Sequence, residues 1–523
     1  MLLPDASGLT SSASKSPRVV VIGAGAVGLY AASRLAARGR DVVVVEAGDS
    51  NLSSFSAESY SSVGRPHEGI RLARSRCLGG TTNLWGGQLA EFQPIDFNGR
   101  DWLPHSQWPV SYEEIAPYYA LTYEALGIPP WAHDDENIWR GISSGRPQLG
   151  PEFEVFLTRW LRIPNFARMF DEQIRNDAKM TVLAGHTAVA FRGSGSRIDG
   201  VRVVNNQGQS HWIEGNAFIL AAGTIENARL LLHAAQDPDW QCPWRQNQNI
   251  GCYFQDHLAG RIGPVHPADK KVFFDLFCNI VYQGLKFQPK IRMPNEVLTR
   301  RQFLNIQVLF AFEGKASEHM VYLKQFLRAA LVKRQLSGIG DVFRHGAGIV
   351  KYLVPLSLRY LRDHRVFVPG SANIFLTVQA EQVPCRDSRI AIDPAVVDSH
   401  GLPRVILDWR LGELELASIR DFAVRIRDAM HSTGIARLEI DEELLAGDPH
   451  FLTKLGDVYH QAGGAIMGWS EEDGVVDKNL RVFGTDNVYI GGASVFRTSS
   501  NANTTFTAIA FATRLVDHIA PAA

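Results

Sequence analysis

The chain is short of cysteine, of net charge and of long apolar runs, and each shortage excludes something. Its 523 residues include five cysteines, Cys77, Cys242, Cys252, Cys278 and Cys385. They are scattered, odd in number and form no CxxC pair, so neither a disulfide framework nor a structural zinc is expected, and no metal is assigned. The balance of 53 Lys and Arg against 54 Asp and Glu leaves a net charge of −1. A protein that bound nucleic acid through a basic surface would not be balanced in this way. No uncharged apolar run is long enough to span a bilayer, so membrane contact is not expected. Met1 to Pro17 is Ser-rich and has neither an apolar signal core nor a twin Arg, which reads as a flexible N-terminus and a cytoplasmic location. Internal repeats and low-complexity tracts are missing as well, and nothing in the sequence marks an oligomeric state.

What remains is the composition of a globular protein, 45% apolar and 20% charged. The length implies two or more domains. Arg18 to Ile22 is a buried-strand pattern, followed by Gly23-Ala24-Gly25-Ala26-Val27-Gly28. A helix pattern from Leu29 to Arg38 ends at Gly39, and a second buried strand, Val42 to Val45, closes on Glu46. This is a complete βαβ unit. Its glycines permit a tight turn, approach of a pyrophosphate and close helix–sheet packing, and Glu46 can hold a ribose hydroxyl pair. The pattern predicts dinucleotide binding.

A second Gly-rich stretch, Arg76 to Gly87, mixes hydroxyls and an amide among its glycines. It reads equally as a loop approaching a cofactor or as a surface Ω-loop. Ser111 and Glu114 form a capping box that opens a helix. Residues 181–223 alternate like a β-meander with turns at Gly193–Ser196 and Asn205–Gly208, and Ala217 to Gly223 is a buried strand running into a helix at Glu226 to Leu232. Phe303 to Phe312 and Ala372 to Ala380 read as strands. Stretches 317–336 and 341–365 read as basic helices, either amphipathic with a solvated face or a lid or membrane-surface element.

Near the C-terminus, His460 lies in Tyr459-His460-Gln461-Ala462-Gly463-Gly464 and Asn503 precedes an apolar helical run. Neutral imidazole suits a general base, and a carboxamide can orient a hydroxyl. Asn501, two residues earlier, is assigned to the turn. His257, beside Asp256, reads as structural because its segment resembles a linker, and Arg497 is open between a ligand contact and a surface charge.

In their order and spacing, Val19–Gly48, Leu78–Gly87, Trp108–Tyr119, Ile219–Leu232 and Tyr459–Leu515 resemble the glucose–methanol–choline oxidoreductase family. Trp85 and Ile490-Gly491-Gly492-Ala493 are most similar to its pyranose-oxidising branch. The resemblance implies an α/β fold: a Rossmann-like FAD-binding domain, with a parallel sheet, βαβ unit and meander, plus an α+β substrate domain on an antiparallel sheet. The FAD-binding domain would comprise 18–100, 180–264 and 451–523, and the substrate domain 101–179 and 265–450. Gly23, Gly25, Gly28 and Glu46 would hold the ADP half. Gly79, Gly80, Thr81 and Asn83 would follow the pyrophosphate and flavin, with Ala222 close by and Val189 reaching the adenine through its backbone. Gly492, Ala493, Asn503, Thr504 and Thr505 would close over the flavin ring. Some branches attach FAD through a His in the Gly-Gly loop; Leu84 stands at that position here, which implies noncovalent FAD. Thr504 departs from the family's usual Pro. The implied activity is oxidation of an alcohol to a carbonyl, with His460 as base, Asn503 orienting the hydroxyl, hydride passing to flavin N5 and electrons going on to oxygen or another acceptor. A sugar or glycoside is the expected substrate; a lipid or sterol alcohol, or a lyase reaction on the same fold, are the alternatives.

Overall fold

The computed structural model describes residues 2–3, 18–49, 57–314 and 359–521. The βαβ unit forms as its pattern predicts. Strand Arg18–Ile22 leads through the glycine turn into helix Ala26–Ala37 and then strand Asp41–Glu46, which pairs in parallel with the first. Both strands are buried from their second residue onward, as a sheet covered on both faces requires. Met180–Ala184, Ala217–Leu220 and Val488–Ile490 extend this sheet in parallel, and Leu2–Leu3 completes six strands at its edge. Chain segments from both ends and the middle therefore build one sheet. The C-terminal helix Thr504–Ile519 packs on helix Ala26–Ala37, with the Tyr30 hydroxyl 2.9 Å from that of Thr513.

The alternation in 181–223 resolves into more than a meander. His186–Ser194, Arg197–Asn205 and Ser210–Glu214 form a three-stranded antiparallel sheet, while the flanking strands belong to the parallel one. The capping box forms as expected: Ser111 accepts from the Glu114 backbone N–H, the Glu114 carboxylate accepts from that of Ser111, and the helix runs Tyr112–Ala125.

The second large sheet is antiparallel and has nine strands among the described residues. Its central order is Leu258–Pro267, Asn373–Ala380, Ile306–Glu313, Leu285–Arg292, Glu154–Trp160 and Gln88–Leu89. A smaller sheet joins the hairpin Arg389–Val397 and Pro403–Trp409 to Tyr60–Gly64. One contiguous apolar core runs through both large sheets. No helix among the described residues is long and apolar enough to cross a membrane. The basic stretch 317–336 and most of 341–365 lie outside the described residues.

Candidate active site

A cavity of about 460 Å³ lies between the parallel sheet and the antiparallel one. It reaches Glu46 and Thr187, and also His460 and Asn503. Its floor is glycine backbone. A Cβ on Gly25, Gly223 or Gly492 would meet nothing within 4 Å, so these three glycines present bare backbone to open space. Gly23 and Gly28 act differently. A Cβ on Gly23 would stand 2.5 Å from the Ala221 carbonyl oxygen, and one on Gly28 would stand 1.9 Å from that of Gly23. Gly28 lets the helix sit on the turn but does not line the cavity.

Glu46 ends its strand with its carboxylate folded over that turn. It accepts the Ala24 N–H at 2.8 Å and the Gly48 N–H at 2.9 Å. Burial pushes its pKa up to about 7 against those hydrogen bonds. Each oxygen keeps a second lone pair for a ligand hydroxyl.

The loop Arg76–Gly87 comes to the cavity through Gly80 and Thr81, with Thr82, Leu84 and Trp85 beside them. Gly79 and Asn83 do not line it. Asn83 instead braces the loop: its amide donates to the Leu78 and Gly80 carbonyls and accepts from Asn165. Ala222, Gly492, Ala493, Thr504 and Thr505 all line the cavity. Val189 does not. It is 3% exposed and sits at the register shift between Ala188 and Ala190, where its side chain enters the core while Thr187 and Ala188 face the cavity.

His460 and Asn503 meet. The Asn503 amide Nδ2 donates to His460 Nε2 at 2.9 Å. Asn503 occupies the N-cap position of helix Thr504–Ile519 yet makes no side-chain capping bond. Its Oδ1 is buried without a partner among the described residues. The helix starts regularly at Thr504 without a proline there, and its N-terminus opens on the cavity, a favourable position for developing negative charge.

His257, read from the sequence as structural in a linker-like segment, is instead fully buried against His460. Its Nδ1 lies 2.9 Å from His460 Nδ1, and its Nε2 lies 2.9 Å from the Ser499 carbonyl oxygen. A carbonyl only accepts, so His257 Nε2 carries a proton and a neutral His257 presents a bare Nδ1. His460 Nδ1–H then donates to it, and the lone pair of His460 falls on Nε2, toward Asn503 and the cavity. Gln379 Nε2, 2.7 Å from His257 Nδ1, donates to the same acceptor. Asp256 fastens the pair from below by accepting the backbone N–H of both His257 and His460. Although burial works against its charge, the hydrogen bond from His67 and the nearby imidazoles hold Asp256 below the usual carboxylate range. Burial, reinforced by His257, lowers His460 to about 3, so its imidazole is neutral.

Two other open readings close. Arg497 is buried, pairs with Asp473 at 2.9 Å and donates to the Met467 carbonyl; it is a brace and not a cavity residue. Asn501 turns away to Asn305, 2.7 Å distant. The cluster His67, Asp256 and Asp457 brings possible metal-ligand atoms within 4.8 Å of one another, but the Asp457 carboxylate already accepts two backbone N–H groups.

Comparison with known proteins agrees with this geometry. Residues 18–247 match the model described as FAD dependent oxidoreductase, and residues 384–512 match the model described as GMC oxidoreductase. The chain is 22% identical over 496 residues to 2-methyl-1,2-propanediol dehydrogenase of Mycolicibacterium austroafricanum, covering 84% of this chain and 80% of that one. It is 23% identical over 328 residues to the fructose dehydrogenase large subunit of Gluconobacter japonicus, covering 62% and 51% respectively. Pyridoxine 4-oxidase from Mesorbium loti has the same fold, with a TM-score of 0.59 at 17% identity over 96% of this chain and 99% of that one. The residues present fit FAD: bare glycine backbone at Gly25, Gly223 and Gly492, an acid at the end of the second strand, and a helix N-terminus facing the cavity. Leu84, which lines the cavity, offers no nucleophile for a covalent link, and FAD is bound noncovalently. A dinucleotide cradle together with these matches marks the chain as an FAD-dependent oxidoreductase whose C-terminal segment is similar to the GMC oxidoreductases.

Proposed function

We propose that this chain oxidises the carbinol of a polyhydroxylated small molecule, a sugar or related polyol, to a carbonyl, with His460 as base and Asn503 as orienting partner. The observation that carries this reading is the unprotonated Nε2 of His460, which accepts from Asn503 at the cavity and is kept free of a proton by the hydrogen bonds through His257 to Ser499. A substrate O–H replaces the Asn503 amide on that nitrogen, and Asn503 Nδ2 then donates to the substrate oxygen. The unpartnered Asn503 Oδ1 is an acceptor for a neighbouring hydroxyl. FAD, when bound, supplies the acceptor for the hydride. Helix Thr504–Ile519 directs its positive end at the charge that accompanies reduction. The electrons leave to oxygen or another acceptor.

A polyol is favoured over a lipid or sterol by the face of the antiparallel sheet turned toward His460. Gln88, Thr158 and Gln288 are joined there by hydrogen bonds, and Gln379 donates to His257 beside His460. The fructose dehydrogenase subunit among the relatives is in keeping with such a donor.

The test is an anaerobic titration of the purified holoenzyme with sugars, glycosides, linear polyols and sterols, followed through the flavin band at roughly 450 nm. Bleaching by the hydroxylated compounds and not by sterols is expected. Bleaching by sterols alone, or by none of them, would overturn the reading.

A further inference from the structure

Lys290 lies in the middle of strand Leu285–Arg292 and is 2% exposed. Its ammonium has no hydrogen bond or ion pair among the described residues, and burial alone lowers its pKa to about 7. A lysine buried without a partner is costly, because the charge loses its hydration and gains nothing in return.

The sheet register says which way it points. Gln379 faces the His257–His460 pair. Gln307 is directly opposite Gln379 and also opposite Arg292, and directly paired residues share a face. Two residues along the strand from Arg292, Lys290 is on that face too, as is Gln288. Its charge lowers the proton affinity of both His257 and His460, which puts it within electrostatic reach of them. Gln307 adds an independent observation: it is fully buried, and neither its Nε2 nor its Oε1 has a partner. Arg292 is already committed to Glu154 at 2.6 Å. Among the described residues this face thus holds the Lys290 ammonium, the Gln307 carboxamide N–H and, beside Gln88, the Trp160 indole N–H as unmet donors, and the Gln307 carboxamide oxygen as an unmet acceptor.

We propose that Lys290 and Gln307 form an anion subsite, and that the preferred donor is a hydroxylated carboxylic acid whose carboxylate sits there while its carbinol meets His460. This rests on the alcohol-oxidation reading above and names the substrate class within it. A carboxylate takes the ammonium of Lys290 on one oxygen and the Gln307 N–H on the other, and a hydroxyl beside it donates to Gln307 Oε1. Lys290 is a specificity-determining residue here; it moves no proton in the oxidation.

The experiment compares matched pairs on the holoenzyme: galactose with galacturonate, and butane-1,4-diol with 4-hydroxybutyrate. The acid should exceed its neutral parent in kcat/KM for anaerobic flavin reduction by about tenfold or more, the usual value of a charge-assisted hydrogen bond. Lys290→Met should erase that ratio, and Gln307→Leu should reduce it. Equal kcat/KM within both pairs, or a preference that survives Lys290→Met, would overturn the proposal. Calorimetric titration with glutarate, which has no hydroxyl to oxidise, reads the subsite without turnover. Binding lost in Lys290→Met supports the anion site even if no tested alcohol reduces the flavin, an outcome that would count against the oxidation reading alone. Failure of glutarate to bind, or binding unchanged by Lys290→Met, counts against the subsite.

Discussion

His257 decides the tautomer of His460 without lining the cavity. If it is removed, His460 Nδ1–H loses its acceptor, and the proton is free to move to Nε2, the atom that must stay bare. Flavin reduction in His257→Ala should therefore slow by about tenfold or more, part of the range that a positioned base supplies. The pH profile separates this from simple damage. In the intact protein burial and His257 hold His460 at about 3, opposed by Asp256 and aided by Lys290. A base with a lowered pKa remains unprotonated as pH falls, so the acid limb of kcat/KM should lie well below 6.5. With His257 gone and water admitted, that limb should move up toward 6.5. An unshifted limb in a well-folded variant would mean that His257 only fills space. Nothing in the sequence marks this role. His257 and His460 are 203 positions apart, and an imidazole pair formed between distant segments has no periodic signature. Lys290 and Gln307 were hidden for the same reason, since a polar residue in a strand pattern is ordinarily read as solvent-facing.

At the scale of elements, the glycine turn separates two kinds of glycine. Gly25→Ala would place its Cβ in open cavity, and Gly28→Ala would place it 1.9 Å from the Gly23 carbonyl oxygen. The first variant should keep its fold and lose FAD affinity. The second should lose stability as well, because backbone must shift to admit the methyl group. The ratio of flavin to protein absorbance together with the melting temperature tests this; equal melting temperatures for the two variants would contradict the packing role of Gly28. This part of the molecule was legible in advance. Strand Arg18–Ile22, helix Ala26–Ala37 and strand Asp41–Glu46 follow from β-branched runs, a helical period and Gly spacing, all of them local signals. Asn83 was less so, because its side chain is spent on bracing its own loop.

In the whole molecule, the cavity exists because distant segments converge. Glu46 comes from near the N-terminus, Thr187 from the three-stranded sheet, and His460 and Asn503 from the C-terminal region. The sequence announced these segments separately, but their meeting depends on strand order, with Val488–Ile490 beside Ala217–Leu220 and the antiparallel sheet closing over the top. That convergence puts an unprotonated imidazole, an orienting amide and a flavin cradle around one space, and the claim that they act together on a carbinol is the one to test first. The measurement is the anaerobic flavin-reduction rate of His460→Ala beside that of the unaltered protein, at equal FAD content and saturating alcohol. A fall of about 100-fold or more with FAD retained is expected if His460 takes the hydroxyl proton. Reduction at the original rate would contradict it.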